Sequence, residues 1–203
     1  MTTYAQRERR LLADLLLRLG PDQPTLCEGW TTRDLAAHLV VRDRRPDAAA
    51  GLLVRPLHEH GERVRRRTAA RPYEQVVHEL RTPPWWSPVS NPLTDEPANT
   101  IEFFVHHEDA RRGQPDWEPR ELEPGLEAAL WRNVRLTGKL ALRRAHVAVT
   151  VSSGGYGSFT VGDSPATTLS GPPGELAMYL TGRTAAARVT IDGDGLEGVR
   201  LGL

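Results

Sequence analysis

Apolar residues change their spacing once along this chain, near residue 145, and that change restricts the fold more than any other feature. Before it, apolar side chains recur every three or four positions between Pro and Gly breaks, the spacing of one helix face. After it, 146–151 and 156–161 alternate apolar with polar, as half-buried strands do. Ser152-Ser153-Gly154-Gly155 lies between them as a hairpin connection. Residues 166–169 read as a third strand and 172–180 as a short helix stopped by Gly182. Residues 188–191 and 199–201 read as closing strands around the turn Asp192-Gly193-Asp194-Gly195. The sequence therefore predicts an α+β protein, with a helical domain over 1–144 and a small α+β domain over 145–203.

Within the helical part, Leu11, Leu12, Leu15, Leu16 and Leu19 form a stripe that predicts a helix over 3–19, ended by Gly20-Pro21. Thr31 with Asp34 three residues on is a capping-box variant, opening a helix that reaches 42–45. That helix carries His38 beside Ala36 and Ala37, small neighbours that leave room for an imidazole. Pro46 starts a short helix to about 53. Pro56 starts another to about 68, whose Arg63, Arg65, Arg66 and Arg67 read as a solvated face near a helix C-terminus. Residues 72–81 form a helix with Val76, Val77 and Leu80 apolar. Residues 82–97 are an irregular loop in which Trp85 and Trp86 either line a pocket or, preferably, seal the end of the helical packing. Asn99 or Thr100 caps a helix over 99–112, closed by Gly113 and Pro115. A long helix with Leu126, Leu130, Val134 and Leu140 apolar spans 124–144.

The chemistry concentrates on the helix over 99–112. Glu102 and His106 are four residues apart, and at about 100° per residue they share one face, one turn apart. A carboxylate and an imidazole so placed can hold a divalent cation, and His38 on the earlier helix is the candidate third ligand. Such a donor set suits zinc, and also iron, nickel or manganese. Three protein ligands leave one position open, as in catalytic sites. The bland alternatives are a solvated Glu/His pair and a core histidine. His107 points about 100° away from His106 and reads as surface or as support for the ligands. Asp109, seven residues past Glu102, lies near the same face and could orient a ligand histidine. His58, His60, His78 and His146 read as surface. Cys27 is a soft donor with no second cysteine to support it.

The 203 residues balance 26 basic against 26 acidic side chains, which argues against a nucleic-acid partner bound through phosphates. No apolar run approaches the roughly 20 residues of a membrane span. The first residues lack a secretory apolar stretch, so the expectation is a cytoplasmic protein with no membrane partner.

Two segments together carry a family resemblance. Cys-Glu-Gly-Trp-Thr-Thr-Arg-Asp-Leu-Ala-Ala-His-Leu, at 27–39, and Glu-Phe-Phe-Val-His-His-Glu-Asp, at 102–109, resemble the metal-binding domain of mycothiol-dependent maleylpyruvate isomerases. That domain belongs to the DinB/YfiT-like superfamily of four-helix bundles. The resemblance covers roughly the whole chain, because such proteins also carry a small α+β C-terminal domain, and the Gly-Pro-Pro-Gly-Glu-Leu segment running to Gly182-Arg183 is similar to a motif there. It implies an N-terminal DinB-like four-helix bundle with His38, Glu102 and His106 as ligands of zinc or another divalent metal. It further implies a low-molecular-weight thiol, mycothiol in the named enzymes, acting on a small electrophile as transferase or isomerase. Arg183 would then hold a substrate carboxylate, or else is a helix-end arginine; Arg66 and Arg67 are weaker candidates. A non-catalytic metal- or ligand-binding module of the same fold is the alternative.

Overall fold

The computed structural model describes residues 3–49, 58–87 and 95–201, and the chain forms two compact units, Met1–Glu118 and Pro119–Leu203. It is mixed α+β: helices occur in both units, and a four-stranded sheet lies in the second.

In the first unit, α1 (Tyr4–Leu19) opens at Thr3, whose hydroxyl accepts the Gln6 amide at 3.2 Å. The Asp34 carboxylate accepts the Thr31 backbone N–H at 3.1 Å and its hydroxyl at 3.0 Å, which sets the start of α2 (Thr32–Arg44). Then come α3 (Pro46–Ala49), α4 (His58–Ala69), α5 (Tyr73–Arg81) and α6 (Asp95–Arg112). Helix α1 packs on α5 and α6, while α2 packs on α4 and α5. Leu12, Leu16, Leu35, Leu39, Val76, Val77, Leu80 and Phe103 meet between them. Each such side chain contributes roughly 1.5–3 kcal/mol by leaving water.

Helix α6 begins four residues before the expected cap at Asn99. Pro97 falls in its first turn, where a missing N–H breaks no helical bond. Asn99 and Thr100 are buried within the helix, and from there to Ala110 only Glu102 is partly exposed. A helix enclosed on all sides must pair the charges it carries. Glu108 is held by Arg111 and Arg112. His107, expected at the surface or as support for the ligands, is buried, with Nδ1 2.8 Å from Oε2 of Glu8 on α1. Nearby, Arg9 of α1 pairs with Asp43 of α2, donates to the Leu80 carbonyl at 3.0 Å and lies over the Phe103 ring.

The loop between α1 and α2 is tied to the C-terminal end of α6. The Leu26 amide donates to the Asp109 carbonyl at 3.1 Å, and the Gln114 side-chain amide donates to the Pro24 carbonyl at 2.9 Å. Gly113 is required for this approach, since a Cβ there would lie 2.5 Å from the Pro24 oxygen. The same docking holds Cys27 against α6. Trp85, at 88% exposure, and half-exposed Trp86 do not seal the packing among the described residues. The remainder of their loop, 88–94, and the predicted helical positions 50–53 and 56–57 lie outside the described residues.

In the second unit, α7 (Pro124–Asn133) runs through a π turn (Val134–Gly138) into α8 (Lys139–Arg144). The predicted 124–144 helix is thus helical throughout, but Leu140 is nearly half exposed and burial passes instead to Gly138, Ala141 and Leu142. The strands are β1 (Val149–Ser153), β2 (Gly157–Val161), β3 (Thr168–Ser170) and β4 (Thr190–Asp192), in the order β2-β1-β3-β4. β1 pairs antiparallel with β2 in the expected hairpin and parallel with β3, while β3 pairs antiparallel with β4. Residues 199–201, expected as a strand, form none. Helix α9 (Pro173–Leu180) is buried along its whole length. It packs on α7, and the Trp131 ring meets Phe159 of β2 at 5.8 Å. These contacts move the expected boundary from 144 to 118/119, because the helical run 124–144 finds its apolar partners in α9 and the strands.

Candidate metal centre

Each residue of the predicted trio is placed by a local sequence feature. Helix α2 starts at a fixed point, the Thr31–Asp34 cap, and His38 follows one turn after Asp34. Leu35, Ala36, Ala37 and Leu39 are fully buried around it. The Trp30 ring lies 5.1 Å from the His38 ring, centroid to centroid, and carries the Arg65 guanidinium over its own face at 4.8 Å. Arg65 is anchored in turn by Asp34 and Glu62. On α6, Glu102 and His106 share a face as their spacing requires, and Asp109 extends that stripe.

The three heads converge. His38 Nε2 is 3.7 Å from Glu102 Oε1, and His106 Nε2 is 3.4 Å from the same oxygen. One donor atom from each of the three lies within 4.8 Å of the other two. Ligands of a tetrahedral zinc ion, with bonds of about 2.0–2.2 Å, sit about 3.3 Å apart. The observed separations are close to that, so the residues fit a zinc-sized cation with small side-chain adjustments.

A second group shares His106: Cys27, His106 and Asp109. Here His106 Nδ1 is 2.9 Å from Asp109 Oδ2, and the Cys27 thiol donates to that oxygen at 3.2 Å. A separation of 2.9 Å is a hydrogen-bond length and is short for two donors on one zinc. Asp109 is fully buried, so it reads as the carboxylate that orients His106 through Nδ1–H and leaves Nε2 facing Glu102.

Arg42, one turn beyond His38 on α2, was not among the sequence candidates. Its Nε lies 3.2 Å from Glu102 Oε1, the oxygen both histidines face. The signal for it was available, since four residues after His38 is the same face of α2.

Electrostatics follow from this packing. Burial opposes the charged form of Glu102, but hydrogen bonds from His106 and His38 and the charge of Arg42 outweigh it and hold the carboxyl well below its usual range. Burial also opposes a charged His106; Asp109, Cys27 and Glu102 outweigh it and hold this imidazole well above its ordinary value. At His38 burial prevails and the value is lowered. Without an ion, an imidazolium between two carboxylates and the Arg42 guanidinium thus supply the positive charge that a cation would bring.

Arg183, the remaining sequence candidate, belongs to the second unit, where its guanidinium donates to the Thr181 carbonyl at 2.7 Å just past α9. His58 and His78 are exposed, while His60 is partly buried and pairs with Asp47 at 2.9 Å; His146 is exposed in the second unit. Among the described residues no helix is long and apolar enough to cross a membrane. Comparison of the chain with protein-family models, curated proteins and solved structures returned no match.

Proposed function

We propose that the first unit binds one divalent cation, zinc above others, through His38, Glu102 and His106. We further propose that it uses this cation to activate a low-molecular-weight thiol toward a small electrophile, as a transferase or isomerase. The observation that carries the reading is the convergence of three nitrogen and oxygen donors from two helices, with the far nitrogen of His106 on a buried carboxylate. An ion there would supply Lewis acidity, lowering the pKa of a thiol at its open position.

The chain's own residues do the rest. Asp109 keeps the His106 proton on Nδ1, so that Nε2 presents its lone pair. The Cys27 thiol donates to the same Asp109 oxygen and helps hold its rotamer. Trp30 and the Arg65 stack hold the His38 ring. Arg42 pairs with Glu102 and offsets its charge. In this reading the helical unit is a DinB-like four-helix bundle, mycothiol is the first thiol to test, and the setting is cytoplasmic. The sequence motifs at 27–39 and 102–109 support it, as does the packing of α1, α2, α5 and α6 around one core.

The test uses zinc-loaded Cys27→Ser protein, free of its own thiol, mixed with an equivalent of mycothiol or N-acetylcysteine. Ionisation of the added thiol is followed by its ultraviolet thiolate absorbance. The reading expects the titration to move down by about one pH unit or more, and to return to its free value with His106→Ala. Stoichiometric zinc with an unmoved thiol titration would refute the thiol chemistry.

A specific observation favours a second reading, a metal- or ligand-binding module without turnover. Around the site, the described titratable side chains are committed: Asp109 to His106 and Cys27, and Glu102 to Arg42 and both histidines. Among the described side chains in direct contact with the trio, no further carboxylate or imidazole is left to serve as a general base, and His58, which lines a cavity with His38, is exposed. Zinc and thiol binding with no consumption of a maleate-type electrophile would select it.

A further inference from the structure

The first unit holds a second concave site, on the opposite edge of α4 from Arg65, and its chemistry differs from that of the metal centre. We propose that this cavity binds a small polyanion of the phosphate class, such as a diphosphate or a phosphorylated metabolite, in a site separate from the metal.

The cavity holds about 290 Å³. Four arginines, Arg45, Arg63, Arg67 and Arg71, line it together with His60, and among the described residues no carboxylate does. Val64 and Thr68, both buried, form its floor. In a chain whose charges balance overall, this is a local concentration of one sign. Concave walls of low dielectric strengthen such a field toward an anion.

Two of the four guanidiniums are already neutralised. Arg45 makes a bidentate pair with Asp47 at 2.9 and 2.8 Å, and Arg71 pairs with both oxygens of Glu79. These pairs hold the rim in place. Arg63 and Arg67 have no carboxylate partner among the described residues. They stand one turn apart on α4, about 6 Å along its axis, so both can reach one ligand in the cavity. Arg66, between them in sequence, pairs instead with Glu62 at 3.8 Å.

The helix dipole accounts for some basic residues near the α4 C-terminus, but it acts within the last turn and does not reach back to Arg63. Two uncompensated guanidiniums at one-turn spacing repel each other, and an anion between them removes that repulsion. Guanidinium forks match phosphate oxygens two at a time, and the cavity has room for more than one phosphoryl group. The sequence alone gave these arginines a solvated face, and Arg67 a weak role in holding a carboxylate. The structure assigns Arg63 and Arg67 to one cavity and sends Arg65 to the other side of the helix.

The test is calorimetric titration of metal-free protein with inorganic pyrophosphate, with inorganic phosphate and sodium chloride at equal ionic strength as comparisons. Metal-free protein separates this site from the metal reading, so failure of either leaves the other standing. The expected result is one saturable pyrophosphate site per chain. The expected loss is about tenfold in affinity for each of Arg63→Ala and Arg67→Ala, with Arg66→Ala near wild type. Because Arg63 and Arg67 are exposed, these variants keep the fold, which unchanged thermal unfolding checks. The proposal is overturned if pyrophosphate does not bind, if it binds no better than chloride, or if Arg66→Ala weakens it as much as the other two.

Discussion

Replacing Asp109 by Asn tests whether that carboxylate supports a metal ligand. The change is nearly isosteric, so the packing around a fully buried position survives. What is lost is the negative charge on His106 Nδ1, now 2.9 Å away, and the acceptor for the Cys27 thiol. Losing such a partner typically lowers metal affinity by roughly 10- to 100-fold, or about 1.4–2.8 kcal/mol. A second effect opposes it. Asp109 also holds the His106 proton in the metal-free protein, so Asp109→Asn lets the imidazole lose that proton more easily. Zinc then competes with a weaker rival at low pH. The affinity deficit should therefore be largest above the raised His106 value, where no proton has to leave, and should shrink as pH falls. Competition against a chromophoric chelator at several pH values measures this directly. Equal zinc affinity for Asp109→Asn and wild type at high pH would refute the supporting role. A deficit that grows on acidification would refute the proton-competition argument.

Further outcomes follow from the same geometry. His106 is held above its ordinary value, so its contribution to the stability of the metal-free protein is full below about pH 6.5 and is lost as pH rises through the raised value. Glu102 behaves oppositely: its contribution is present above about pH 4.5 and is lost as pH falls through its depressed value. Added zinc should invert the alkaline limb, since ligation needs Nε2 free of its proton; thermal unfolding with and without zinc across this range reads it. Gly113→Ala should cost roughly 1–3 kcal/mol by overpacking, because its Cβ would press on the Pro24 carbonyl that anchors the Cys27 loop; chemical denaturation measures the cost. Burial pushes the Asp43 carboxyl up even beside Arg9, so the pair adds little net stability. Asp43→Ala nonetheless removes a carboxylate from a buried guanidinium, and should destabilise by about 3 kcal/mol in the same assay.

The helices, and the Glu102/His106 face, were legible because helical periodicity and caps act within a few residues. Boundaries failed where a local signal competed with packing. Asn99 and Thr100 are cap-type residues, yet α6 starts earlier because Pro97 fits a first turn. The 124–144 helix reads as apolar on one face, but periodicity does not say which partner covers that face, and the α+β unit claims it. His107 was left between the surface and a role supporting the ligands because its partner, Glu8, is 99 residues away. The usable hint lay on the partner helix α1: Glu8 and Arg9 interrupt the buried face made by Ala5, Leu12, Ala13 and Leu16. A charge on an apolar stripe announces a buried partner without naming it.

The most direct measurement of the central claim is metal content per chain, by elemental analysis after zinc loading and desalting, for wild type and for His38→Ala, Glu102→Ala and His106→Ala. The account predicts one zinc per wild-type chain and substoichiometric zinc in each variant, with all four proteins folded by circular dichroism. A wild-type chain that retains no divalent metal, or one zinc persisting in all three variants, would contradict it.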